Sequence, residues 1–140
     1  MTSSYPTKGQ LERTLSQKIQ ALYRTQLGHR LGEVDCQIFD QKIAIVLENS
    51  LTQPEQLLAH QGNQELVLEL HSNLDEAMRP QLTQLIEEVV GVSVVDFMSD
   101  ATLETERTGM IAILSTHPSF RDRPNGKSDP QKPTFDEPSI

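Results

Sequence analysis

Residues 64–98, QELVLELHSNLDEAMRPQLTQLIEEVVGVSVVDFM, carry two structural signals in succession. Leu66, Val67, Leu70, Leu74, Ala77 and Met78, then Leu82, Leu85, Ile86 and Val89, recur at helical spacing over about 25 residues. Pro80 interrupts the run. An interior proline lacks the amide donor and crowds the carbonyl four residues earlier, which predicts a kink near Ala77 or two abutting helices. Gly91 closes the element as a left-handed cap. Val92–Met98, rich in Val and ending in Phe-Met, reads as a strand, and Thr108–Leu114 as its hairpin partner across a polar loop, Ser99–Arg107.

The first half of the chain repeats this logic. Thr52 and Glu55 stand at capping-box spacing, placing a helix from Gln53 to about His60, with Pro54 tolerated in its first turn and Gly62 as its end. Before it, Glu33–Phe39 alternates Val34, Cys36 and Ile38 with polar residues, the pattern of a half-exposed strand. Lys42–Glu48 is apolar from Ile43 to Leu47 and predicts a strand covered on both faces. Asp40 and Gln41 between them suit a tight turn. Thr7 with Gln10 opens a helix whose stripe is Leu11, Leu15, Ile19, Leu22 and Leu27, and Gly28 stops it. The order α-β-β-α-α-β-β predicts an α+β, two-layer domain, its helices packed on one face of a four-stranded, mainly antiparallel sheet. A first helix of about 20 residues spans ~30 Å, longer than a five- or six-residue strand covers. Part of its stripe, Leu11, Leu15, Ile19 and Leu22, is therefore expected to meet a second copy. A homodimer through that helix or an edge strand follows.

Composition narrows the function. With 140 residues, 36% hydrophobic and 23% charged, the chain suits a single domain, placed at residues 7–115. Only 4% of residues are aromatic and none is Trp, which disfavours base-stacking platforms. A net charge of −8 opposes the basic footprint that nucleic acid requires, so none is expected as a partner. The acidity lies in the body: residues 1–115 hold 8 basic and 16 acidic side chains, residues 116–140 hold 4 of each. Those last residues carry five of the eight prolines and few aliphatics. They read as a disordered tail in which Phe120 or Phe135 could anchor a recognition peptide. No apolar run reaches the roughly 20 residues that span a bilayer, and the polar start lacks the core of a signal peptide. A cytoplasmic protein, not inserted in a membrane, is expected. Cys36 is the one cysteine. It suits a reducing compartment and reads as a small buried hydrophobe.

Candidate chemistry is sparse. His71 and Asp75 share a helical face and could orient a proton-transferring imidazole, whereas Asp75 is equally a routine solvated acid. Glu87 and Glu88 are adjacent, point in different directions and read as a solvated edge. Arg79 is placed to pair with Asp75 or Glu76. GHRLG, residues 28–32, is the basic, flexible patch of an acidic body, and His29, Arg30 and Gly32 there could hold a small anion. It lacks the glycine pattern of a nucleotide loop. Asp96, Asp100, Glu104 and Glu106 could gather a divalent cation, which wants several oxygens, but they lack the fixed spacing of a calcium loop. No catalytic residue, metal or cofactor is assigned.

LTQPEQLLA (51–59), AMRPQLTQLIEEVVGVSVVDFMSD (77–100) and TGMIAILS (108–115) resemble the MpsC-like family of small bacterial proteins. The resemblance spans residues 8–115. The KGQLE start, the L-T-x-x-E helix opening, the A-x-R-P break, the I-E-E-x-x-G-V turn and the S-D after the third strand carry it, while the loop ATLETERTG alters the usual threonine-glycine loop. The family's name refers to a sodium-translocating, membrane potential-generating system. Such a protein is encoded there beside membrane subunits linked to inorganic carbon supply. The resemblance implies a role beside a transporter and transfers no catalytic residue. The function expected is a non-enzymatic accessory or regulatory protein, acting by contact with a protein partner such as a membrane transporter subunit. A sensor of a small anion or nucleotide is the alternative, and behind it an enzyme using His71.

Overall fold

The computed structural model describes residues 5–121. Its elements are α1 (Lys8–Leu27), β1 (Val34–Phe39), β2 (Lys42–Leu47), α2 (Gln53–His60), α3 (Gln64–Val90), β3 (Val94–Thr102) and β4 (Arg107–Leu114). The fold is α+β, as its element order predicts: three helices and one antiparallel sheet in the order β1-β2-β4-β3. The core lies between the helices and one sheet face, with Leu15 and Ile19 of α1, Leu82 and Ile86 of α3, and Ile43, Ile45, Ala112 and Leu114 of the sheet almost fully buried.

Local chemistry explains the boundaries. The Thr7 hydroxyl accepts from Gln10 N at 3.1 Å while Gln10 Oε1 accepts from Thr7 N at 2.8 Å, so two otherwise orphaned donors at the start of α1 are satisfied. Gly28 ends the helix with φ 61°. The buried stripe is Leu11, Leu15, Ile19 and Tyr23, with Leu22 and Leu27 only half-buried. The first three of these are already buried in the chain's own core, where α1 packs on β1 and α3. Asp40, at φ 54°, turns β1 into β2.

Of the two outcomes expected at Pro80, a kinked helix or two abutting ones, the second is excluded, since α3 is one continuous 27-residue element. Pro80 and Glu76, whose carbonyl loses its donor, both lie on the exposed side, where solvent can meet that carbonyl. β3 starts later than expected and runs on to Thr102, because Ala101 and Thr102 pair with Thr108 and Arg107. The loop is thereby reduced to residues 103–106. At its start, Glu87 Oε2 accepts from Val94 N at 2.9 Å, so Glu87 caps the strand rather than lying idle at a solvated edge. β2 is not covered on both faces. Val46 is 39% exposed, on an outer sheet face that no helix covers, beside half-buried Ala44, Ile111 and Ile113, with Phe39 and Met98 also exposed.

Both sheet edges are closed by side chains. On β1, Glu12 Oε2 accepts from Ile38 N at 2.8 Å and the Ser16 hydroxyl donates to Val34 O at 2.9 Å. On β3, Arg79 Nη1 donates to Phe97 O, and Asp96 and Asp100 accept from the next backbone amides, both at 2.9 Å. These are the devices that keep an edge from pairing with another strand. Past β4, Phe120 packs against the core and Arg121 N donates to Pro6 O at 2.7 Å, bridging to Thr7. Residues 116–121, which composition assigns to a disordered tail, thus return to the start of α1. Phe135 lies outside the described residues. No helix among them is long and apolar enough to cross a membrane.

Candidate functional site

The most unusual chemistry in the molecule is a buried polar chain joining α2, α3 and the sheet. Glu55, the third residue of α2, is 0% exposed. Its Oε1 accepts from Thr52 N at 2.7 Å and from the Thr52 hydroxyl at 2.8 Å, which is the capping role its spacing predicts. Its Oε2 lies 2.5 Å from Nδ1 of His71, one turn and more into α3. His71 Nε2 is 3.2 Å from the Thr108 hydroxyl of β4 and 3.6 Å from Asp75 Oδ2. Thr108 continues to the Ser50 hydroxyl at 2.7 Å, which in turn donates to Glu106 O at 3.2 Å. Asp75 also accepts from the Ser99 hydroxyl at 3.2 Å.

With His71 protonated, the hydrogen bonds form one consistent pattern: the imidazolium donates from Nδ1 to Glu55 and from Nε2 to Thr108, Thr108 donates to Ser50 and Ser50 to the Glu106 carbonyl. Among the described residues no buried side-chain nitrogen or oxygen lacks a hydrogen-bond partner. Burial alone would lower the pKa of His71, but the Glu55 hydrogen bond and the fields of Asp75, Glu55 and Asp100 outweigh it and hold the imidazole above its ordinary range. For Glu55 burial pulls upward, and the His71 and Thr52 hydrogen bonds with the His71 charge overcome it, leaving the carboxyl below its ordinary range. Asp75 is pushed up, chiefly by burial. Burial and the Asp75 and Glu55 carboxylates also raise the Tyr23 phenol.

Acid, imidazole and hydroxyl in this order match the logic of a nucleophilic triad. Thr108, however, is 1% exposed and Ser50 3%. The imidazole itself borders a cavity of about 110 Å³ lined by Ser72, Asp75, Arg79, Ser99 and Asp100, which Thr108 does not line. Arg79 meets Glu76 at 3.4 Å, as its spacing suggests, and crosses to Phe97, bonding its carbonyl and stacking 5.4 Å above its ring. Among the described residues no group of three or more His, Cys, Asp or Glu is gathered to hold a metal ion.

The residues singled out from the sequence fall in separate places. His29 is buried with Nε2 2.7 Å from Asn49 O, and Gly32 N donates to Glu48 O at 2.8 Å. Arg30 is exposed and, with Arg24, Gln17 and Gln20, borders an open groove of about 610 Å³. Leu22 lines a second groove with Lys18 and Leu85. Cys36 is 3% exposed and burial pushes its thiol up to about 11. Glu55 is the functional residue that spacing conceals: its cap pattern accounts for one oxygen, and no local signal points to His71.

No curated protein matches the chain, and no solved structure does. The family described as Na+-translocating membrane potential-generating system (MpsC) matches residues 7–116, in agreement with the motifs of the helix openings and the 77–100 segment, and the chain belongs to that family.

Proposed function

We propose that the chain is a non-enzymatic accessory or regulatory protein of a sodium-translocating system, acting through protein contacts, with a membrane transporter subunit as its partner. The observation that carries this reading is the open outer face of the sheet. Phe39, Val46 and Met98 are 46%, 39% and 48% exposed there, and Ala44, Ile111 and Met98 stand side by side across β2, β4 and β3. A monomer leaves such contiguous apolar area mainly where something binds. The same face suits a homodimer better than the sheet edges do, since side chains occupy those edges. The buried Thr108 hydroxyl supports a non-enzymatic role.

The test is a Val46→Lys, Met98→Lys chain, altered only at exposed positions. The tagged protein should capture an integral membrane subunit from detergent-solubilised membranes, and the variant should lose that capture while keeping its melting temperature. Equal capture by both would overturn the reading. The groove beside Arg24 and Arg30 supports a second reading, an anion sensor. On that reading phosphate or bicarbonate raises the melting temperature and Arg30→Ala abolishes the rise.

A further inference from the structure

Helix α2 is attached in an unusual way. Among its eight residues Glu55 alone is buried, while Leu57 is 61% exposed, and the helix packs against α3 and no other helix or strand. A helix docked by aliphatic side chains is indifferent to pH, whereas one docked by a carboxylate on an imidazole is not. We infer that α2 is latched to the domain by the Glu55–His71 pair, and that the latch loosens as pH rises and the imidazole gives up its proton.

The groups around the imidazole set the direction. From α2 it faces Glu55, from α3 Asp75 with Arg79 behind it, from β3 Asp100 and Ser99, and from β4 Thr108, while Tyr23 of α1 feels the Asp75 and Glu55 charges. Carboxylates dominate this ring, so the protonated imidazole is the form that holds α2. Once it is neutral, Glu55 remains buried without a counter-charge and Asp75 adds to the repulsion. His71 is raised, so its contribution is complete below the ordinary 6.5 and fades as pH climbs through the higher folded value. Each unit of that elevation corresponds to a tenfold tighter docking of the imidazolium form. Glu55 is lowered, so protonation loosens the latch again only in acid. The inference concerns the isolated chain and is independent of the accessory role.

Hydrogen exchange of the 53–60 amides from pH 6 to 10, corrected for intrinsic chemistry, reads the latch in the unmodified protein, with imidazole NMR locating the His71 titration. Protection of α2 should fall at least tenfold through that titration while β2 and β4 amides stay constant. Glu55→Gln should lower the His71 midpoint and flatten the α2 profile. A Glu55→Leu, His71→Leu chain should keep α2 docked without pH dependence. Unchanging α2 protection in the native protein, α2 loss in step with β2 and β4, or a pH profile that survives Glu55→Gln would each overturn the inference.

Discussion

Replacing Thr108 by Val removes one hydroxyl at nearly constant shape, so any effect reports the polar chain rather than a cavity. Thr108 is 1% exposed and holds the centre of the chain between His71 and Ser50, itself 3% exposed, and with His71 protonated it accepts from the imidazolium and donates to Ser50. When His71 is charged, the lost acceptor served an ionised donor, and such bonds are worth about 1.5–3 kcal/mol. When it is neutral, the lost contact is an ordinary hydrogen bond of about 1 kcal/mol. Thr108→Val should therefore destabilise the fold by about 2 kcal/mol near pH 6, and by distinctly less above the raised pKa of His71. Thr108→Ser, which keeps the hydroxyl and loses a methyl, should cost about 1 kcal/mol with no such pH dependence. Urea unfolding of the three proteins at both pH values, with slopes compared, measures this directly. A Val variant as stable as the parent at pH 6, or equally weakened at both pH values, would refute the imidazolium chain.

Three further outcomes follow from other parts of the fold. Gly91 caps α3 at φ 77°, and a methyl group at its Cα would meet nothing within 4 Å, so Gly91→Ala should cost about 1 kcal/mol of backbone strain alone, read by thermal melting. Cys36, with its thiol pushed up to about 11 from an ordinary 9.0, should react with iodoacetamide at least about 100-fold more slowly in the folded than in the unfolded chain at equal pH; fast native labelling would contradict its burial. Arg79→Lys should not substitute for Arg79, because the planar guanidinium both bonds Phe97 O and covers the Phe97 ring, and a loss of about 1 kcal/mol in urea unfolding checks it.

The legible parts of this fold are those written in neighbouring residues. Thr7 with Gln10, Gly28, the Asp40–Gln41 turn, Thr52 with Glu55 and Gly91 each satisfy or release backbone groups within one turn of themselves, so spacing places the helices and the hairpin between β1 and β2. The end of β3 is hidden because Ser99, Asp100 and Thr102 look like loop residues. Their strand conformation is imposed by β4 on the other side of the turn. The apolar run of β2 suggests cover on both faces, and the run by itself does not tell a core neighbour from an open face. At the site, His71 and Asp75 are visible as an i, i+4 pair, while Glu55 and Thr108 reach His71 from 16 and 37 residues away. Only folding brings them together.

The bridge between Thr7 and Arg121 makes the described domain nearly a closed ring of chain. Its entry and exit strands share one corner, so a tag or tether added at either end of residues 5–121 emerges from the same place and crowds the same surface. The chain could also be rewired there. A short peptide joining that corner would let new ends be cut into the 103–106 turn between β3 and β4 without lengthening any connection through the core.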